Sequence, residues 1–145
     1  MENDKLRYAV GMISVFLLVF STRGQSAEET SRSVLAGVYT DAQSVRGQGL
    51  YRENCGRCHA ETLTGGESSP ELTGTAFIER WKGLTVGDFF ERIRTSMPTD
   101  NPGGLSRQQY SDVVAYILSV NKFPAGTKEL DRDTAPLRQI RIETK

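Results

Sequence analysis

Two cysteines and one histidine stand together in the segment Cys55-Gly56-Arg57-Cys58-His59, and the chain contains no other cysteine or histidine. Two thiols three positions apart, followed at once by an imidazole, form the pattern by which haem is attached covalently. In that chemistry the thiols add across the two vinyl groups as thioethers, and the imidazole ligates the iron. The spacing therefore predicts one haem c, bound through Cys55 and Cys58 with His59 as an iron ligand.

Three other uses of such a cysteine pair fit this sequence less well. A zinc site needs about four ligands of the Cys, His or carboxylate kind, and the sequence has no second cluster. A thioredoxin-like redox pair belongs to a βαβ context, which the pattern does not contain. A plain disulfide, the ordinary fate of paired cysteines in an oxidising compartment, leaves His59 without a role.

A methionine is the candidate for the second axial ligand. Met1 and Met12 lie in an N-terminal export signal, so Met97 is the only methionine left in the mature chain. A thioether is a soft iron ligand that raises the reduction potential of a cytochrome. Met97 stands just before Pro98, in a loop rich in Gly and Pro that can turn the sulfur inward. The alternative is a methionine that fills a gap in the core.

Residues 1–27 have the composition of a secretory signal. Lys5 and Arg7 supply a positive start, Ala9 to Phe20 is mostly apolar, and small polar residues follow. The apolar run is shorter than the ~20 residues that a membrane-spanning helix needs. We therefore predict a protein that is periplasmic or otherwise exported. The alternative is that this segment stays uncleaved as an anchor, and only in that case do we expect contact with a membrane.

Composition limits the classes of partner. Acidic and basic residues number 18 each in a chain of 145 residues, and their balance gives no field suited to nucleic acid. The length suits one domain. The hydrophobic content of 37% is low for a self-sufficient core, and a buried cofactor would add to it because small domains bury a smaller share of their surface.

Helices are the elements that must position these ligands. Apolar residues at helical spacing predict a helix from Asp41 to Asn54 and a short one from Thr75 to Trp81. Two capping boxes, Thr85 with Asp88 and Ser106 with Gln109, begin two more. We expect these to end near Ser96 and Asn121, and Met97 and Pro98 then lie in the loop between them. No internal repeat or convincing strand pair is present, so the predicted fold is all-α.

The predicted organisation has four parts. Residues 1–27 are the signal, 28–40 a polar arm, 41–126 the haem domain and 127–145 a polar tail. Leu137, Ile140 and Ile142 are the tail residues that could attach it to the domain.

The chain resembles a class I cytochrome c over roughly residues 34–126. The segments that carry the resemblance are Cys55 to His59, Ser69-Pro70-Glu71-Leu72-Thr73-Gly74, Met97-Pro98 and Val113 to Leu118. A narrower set is similar to cytochromes associated with quinoprotein (PQQ) dehydrogenases: Gly37-Val38-Tyr39-Thr40, Gln43, Arg46-Gly47, Leu50-Tyr51, Asp100-Asn101-Pro102-Gly103, Asn121 and Phe123-Pro124-Ala125-Gly126. The resemblance implies about four to five short helices wrapped around one covalently bound haem.

The resemblance also implies roles for single residues. His59 would be the proximal ligand and Met97 the distal one, and the Pro70 carbonyl would accept the second ring N–H of His59; the alternative for Pro70 is a turn proline. Trp81 either donates its N–H to a haem propionate or is an ordinary core tryptophan. Arg57 either pairs with a propionate or is solvated.

Two further implications concern the helices and the motif turn. Gly47 and Tyr51 would meet Val113 and Tyr116 where the first and last helices cross. Ala60 stands where many relatives carry glycine, a departure from which we expect little consequence.

The function implied is electron transfer, because an iron with both His59 and Met97 bound leaves no position for a substrate. The expected donor is a periplasmic dehydrogenase and the expected acceptor another cytochrome or a terminal oxidase. One alternative is a fixed haem subunit of a dehydrogenase complex. Another is a haem enzyme or gas sensor in which Met97 is displaced.

Overall fold

Helices provide most of the regular structure in the computed structural model, which describes residues 32–144. In chain order the elements are β1 (Arg32–Ser33), a 3-10 turn (Val34–Ala36), α1 (Asp41–Asn54), α2 (Gly56–His59), α3 (Gly74–Trp81), α4 (Val86–Ser96), α5 (Arg107–Val120), α6 (Thr134–Leu137) and β2 (Ile140–Arg141). The all-α prediction is confirmed. Three elements were not predicted from the sequence: α2, α6 and a parallel strand pair in which Arg32 lies opposite Ile140.

The ends of the long helices follow from local hydrogen bonds. The Thr40 side chain accepts from the backbone N–H of Gln43 at 3.1 Å and begins α1. Both predicted capping boxes are present: Thr85 and Asp88 begin α4, and Ser106 and Gln109 begin α5. Each pair satisfies two backbone donors that a helix start leaves free.

The crossing of α1 and α5 is the most extensive contact between helices within residues 32–144. A Cβ atom on Gly47 would lie 1.8 Å from the backbone oxygen of Asp112 and 2.9 Å from the Cβ of Tyr116. One turn later the rings of Tyr51 and Tyr116 lie 5.4 Å apart, centroid to centroid. Only a residue without a side chain allows this approach. The backbone of Asp112, with Tyr116, meets Gly47 at this crossing.

Aromatic side chains join α3 to α4. The Phe89 ring lies 5.4 Å from Phe77 and 4.6 Å from Trp81, centroid to centroid. All three side chains are buried. Edge and tilted arrangements of this kind add to the burial of apolar area, so these rings hold α3 against α4.

The C-terminal segment is part of the fold. The side chain of Gln43 is fully buried; it donates to the carbonyl of Leu130 at 3.1 Å and accepts from the N–H of Leu130 at 2.7 Å. Leu137, Ile140 and Ile142 are buried as well, which confirms their expected attachment. Because a buried amide must find partners, Gln43 specifies where the segment after residue 126 joins α1.

Ion pairs continue this attachment at the surface. Arg46 of α1 pairs with Asp112 of α5 at 3.0 Å and with Glu129 at 2.9 Å. On α4, Glu91 accepts from Arg94 and from the Thr134 hydroxyl of α6. The hydrogen bond from Arg94, and to a smaller extent the one from Thr134, lowers the pKa of Glu91 to about 2. The carboxylate is therefore charged at neutral pH.

The segment before α1 is also packed onto the domain. Val34, Val38 and Tyr39 are buried, and the Tyr39 hydroxyl donates to the carbonyl of Phe123 at 2.6 Å. The expectation of a polar arm is therefore wrong for residues 32–40. The predicted signal at residues 1–27 lies outside the described residues. Between residues 32 and 144, no helix combines the length and the hydropathy that a membrane crossing requires.

Candidate functional site

The motif turn follows directly on the end of α1. The Cys55 N–H bonds the carbonyl of Tyr51 at 2.8 Å, so Cys55 is the C-cap of α1. The carbonyl of Cys55 in turn accepts from the N–H groups of Cys58 at 3.1 Å and His59 at 2.9 Å. Residues three and four positions apart on a helical turn share a face. Cys58 and His59 each lie one turn from Cys55, so this single turn carries both thiols and the imidazole.

The two cysteines differ in burial. Cys55 is half-buried and packs against the core, whereas Cys58 is exposed, and both thiols are free. Burial, with a smaller effect of Cys58, raises the pKa of Cys55 to about 11. Within residues 32–144 no group of three His, Cys, Asp or Glu side chains could hold a metal ion.

The imidazole of His59 is held by one of its nitrogens. His59 is 7% exposed, and its Nδ1 lies 2.9 Å from the carbonyl oxygen of Pro70. A carbonyl can only accept, so Nδ1 carries the hydrogen and donates it. The other nitrogen, Nε2, then has a lone pair for a metal, and the ring orientation is fixed from behind.

The chain after His59 folds back and so places the Pro70 carbonyl beside Nδ1 of the imidazole. The carbonyl of His59 accepts from the N–H of Gly65 at 2.9 Å, and the carbonyl of Leu63 accepts from Leu72 at 2.8 Å. The Tyr51 hydroxyl donates to the Ala60 carbonyl at 2.9 Å. These bonds make the loop after the motif a rigid support for the imidazole.

Ala60 has a backbone conformation that is unusual for any residue but glycine, with φ 61° and ψ 155°. Non-glycine residues in this region store about 1–3 kcal/mol of strain. The departure from glycine therefore falls on a backbone conformation that strains alanine, a feature that the sequence alone did not reveal.

We expect Ala60→Gly to raise the free energy of unfolding of the holoprotein by about 1 kcal/mol, the relieved strain less the extra freedom of glycine when unfolded. Denaturant titration followed by circular dichroism measures it. Ala76→Gly is the matched control, since Ala76 is exposed on α3; it should lower stability by about 1 kcal/mol. Equal losses in the two variants would refute the strain at Ala60.

Met97 is the C-cap of α4. Its N–H bonds the carbonyl of Ile93 at 2.9 Å, and its own carbonyl accepts from the Tyr110 hydroxyl at 2.7 Å. The residue is half-buried, at φ −131° and ψ 149°. The helix end thus turns into extended chain at the methionine, with both backbone polar groups bound.

An ion pair joins the Met97 loop to the motif turn. A guanidinium nitrogen of Arg57 lies 2.9 Å from a carboxylate oxygen of Asp100, with the two side chains 81% and 64% exposed. Arg57 is thus solvated but not alone. The pair stabilises the fold little, because exposed ion pairs contribute about 0–1 kcal/mol. The pair nevertheless shows that the loop after Met97 lies beside the turn that contains Cys58.

The remaining predicted residue, Trp81, lies in the aromatic core. It is 9% exposed and packs on Phe89, the arrangement expected of an ordinary core tryptophan. Asn121 has a role that was not predicted from the sequence: its side chain donates to the Leu72 carbonyl at 2.9 Å and accepts from the Gly74 N–H at 3.0 Å. This residue anchors the end of the Pro70 loop to α5. Its place in the resemblance to quinoprotein-associated cytochromes was the only signal.

The donor set fits a haem c. Two free thiols and an imidazole share one turn. The Nδ1 atom of His59 is bonded to the Pro70 carbonyl. The Arg57–Asp100 ion pair joins this turn to the loop that contains Met97. Two thioethers and a His–Met pair of axial ligands require these groups. The fold and this turn together define a class I c-type cytochrome with one haem.

Comparison with known proteins agrees. Residues 42–117, more than half of the chain, match the family described as "Cytochrome C oxidase, cbb3-type, subunit III", and the chain belongs to this family of cytochrome c domains. The cytochrome c domain therefore binds haem c covalently and takes part in haem-based electron transfer. Among curated proteins, none matches significantly.

One solved structure is similar, that of the sulfane dehydrogenase SoxCD from Paracoccus pantotrophus. The sequence identity is 20% and the TM-score 0.47, and the alignment covers 74% of this chain. It spans 62% of the length of the matched chain.

Proposed function

We propose that this protein carries single electrons on one haem c whose iron lies between His59 and Met97. The observation that carries the proposal is the donor set: the only histidine of the chain has Nε2 left for a metal, and Met97 is the only methionine between residues 32 and 144. When bound, the haem supplies an iron that gains and loses one electron.

In this proposal the residues around the haem hold it in place and catalyse no reaction. Cys55 and Cys58 anchor the macrocycle, and Pro70 fixes the ring of His59 through its carbonyl. Arg57 acts through its pair with Asp100. Trp81 acts through core packing, as its place beside Phe89 supports, and we assign neither Arg57 nor Trp81 to a propionate.

We place the mature carrier outside the cytoplasm. Residues 1–27 would be removed as the secretory signal, residues 41–126 would form the haem domain, and residues 127–145 would follow as a packed extension. The donor would be a periplasmic dehydrogenase, of the quinoprotein type by resemblance, and the acceptor another cytochrome or a terminal oxidase. Such redox encounters bury little area, which suits a chain with balanced charge.

We expect Met97→Ala to abolish the weak far-red sulfur-to-iron band of the oxidised protein. The midpoint potential should fall by on the order of 0.1 V, a fraction of the ~0.8 V range that axial ligands set. The reduced variant should also bind carbon monoxide rapidly, because a coordination position is opened. Absorption spectroscopy and a redox titration measure these changes.

Leu105→Ala is the matched control, since Leu105 is a half-buried side chain of the same loop with no atom that could ligate iron. It should keep the far-red band. A spectrum unchanged by Met97→Ala would refute the ligation. Rapid carbon monoxide binding or multiple peroxidase turnovers by the unmutated protein would favour the enzyme or sensor alternative over a carrier.

A further inference from the structure

The carbonyl of Met97 is held by a residue from a different helix. The Tyr110 hydroxyl of α5 donates to it at 2.7 Å, whereas the Met97 N–H bonds within its own helix, to Ile93. The contact spans 13 positions of the chain. Of these two bonds, that of Tyr110 alone ties the Met97 backbone to an element outside α4.

Tyr110 is itself rigidly placed. It lies in the first turn of α5, immediately after the capping box of Ser106 and Gln109, and it is 2% exposed. Its ring packs edge-on against Phe90 of α4 at 6.5 Å between centroids. A buried aromatic ring has little rotational freedom, so the hydroxyl presents a fixed donor to the Met97 carbonyl.

The other restraints on the loop after Met97 are weaker or more distant. The Asn101 N–H bonds the carbonyl of Pro98, and the Gly104 N–H bonds that of Asn101; both are turns within the loop itself. The Arg57–Asp100 pair reaches outside the loop, but both side chains are mostly in water. The Tyr110 hydroxyl is therefore the buried restraint that reaches Met97 directly from outside α4.

We propose that Tyr110 is a positioning residue for Met97: its hydroxyl holds the Met97 carbonyl and so keeps the thioether on the iron. This rests on the proposed His–Met ligation. The methionine exchanges between a bound and a released state, and a contact made only in the bound state favours that state by its own free energy. Loss of one such hydrogen bond should raise the released fraction about fivefold to tenfold.

The test uses Tyr110→Phe in the intact holoprotein, with carbon monoxide as the probe. Carbon monoxide reaches reduced iron only when Met97 is released, so its binding rate reports the released fraction. We expect Tyr110→Phe to bind carbon monoxide about fivefold to tenfold faster than the unmutated protein. On heating, the far-red band of the oxidised variant should disappear well before the helical circular dichroism is lost.

Tyr39→Phe is the matched control for a merely structural effect. Tyr39 is also 2% exposed, and its hydroxyl donates to a backbone carbonyl, that of Phe123, at 2.6 Å. This variant should lose a similar amount of stability. Its carbon monoxide rate should match that of the unmutated protein, and its far-red band should persist until the helices unfold.

The outcomes separate this inference from the proposed function. If the unmutated protein shows the far-red band and Tyr110→Phe behaves like Tyr39→Phe, the positioning role is wrong and the His–Met ligation stands. If the unmutated protein lacks the band, the ligation and the positioning role both fail. A faster carbon monoxide rate confined to Tyr110→Phe supports the inference.

Discussion

Gly47→Ala is expected to lower the free energy of unfolding of the holoprotein by at least about 3 kcal/mol, at the upper end of the cost of overpacking. The added Cβ would lie 1.8 Å from the Asp112 carbonyl oxygen and 2.5 Å from its carbon. Backbone cannot rotate away as a side-chain end can, so α1 and α5 must separate. The thermal midpoint of the circular dichroism signal should fall by about 10 °C or more.

Gly49→Ala is the control for Gly47→Ala, in the same helix. A Cβ on Gly49 would meet no heavy atom within 4 Å. Alanine is the better helix former, so this variant should gain about 0.5–1 kcal/mol. Equal effects of the two substitutions would show that helix propensity, and not the crossing of α1 and α5, governs both positions.

The long helices could be predicted because their signals are local. Thr85 and Asp88 stand three positions apart, and so do Ser106 and Gln109; each pair forms its capping box without help from the rest of the chain. The motif turn could be predicted for the same reason, since its three chemical groups are nearly consecutive. Pattern and propensity describe what neighbours do to one another.

The place on the domain where the C-terminal segment attaches could not be predicted in this way. Gln43 and Leu130 are 87 positions apart, and a glutamine among the polar residues of a helix gives no sign of being fully buried. The parallel pair of β1 and β2 is two residues long on each side, too short for any alternation to be recognised. Tertiary packing alone determines both features.

The functional site likewise has residues that could be predicted from the sequence and contacts that could not. Cys55, Cys58 and His59 were found from spacing, and Met97 from being the methionine left in the mature chain. The contacts that support them, Tyr110 to Met97 and Arg57 to Asp100, join residues 13 and 43 positions apart. The ring of Tyr110 is buried, as an apolar position on a helix would be, but a pattern of apolar positions gives no information about the partner of its hydroxyl.

Removal of both thiols should abolish stable haem binding. In the unmutated protein the haem should stay with the polypeptide after acid–acetone extraction, because thioethers survive it. In the double variant Cys55→Ser with Cys58→Ser, all haem that is present should be extracted. Without the cofactor we expect little helical circular dichroism, because the hydrophobic content of 37% is low for a self-sufficient core.

The two single variants should differ. Cys55 is half-buried against the core and Cys58 is exposed, so a serine hydroxyl at position 55 loses apolar contacts and must also find a hydrogen-bond partner. The yield of holoprotein should therefore be lower for Cys55→Ser than for Cys58→Ser. Arg57→Gln is the control between them: it removes only the exposed pair with Asp100 and should leave attachment complete. Haem that extracts fully from the unmutated protein would contradict the thioether assignment, whereas equal yields of the single variants would contradict only the part given to burial.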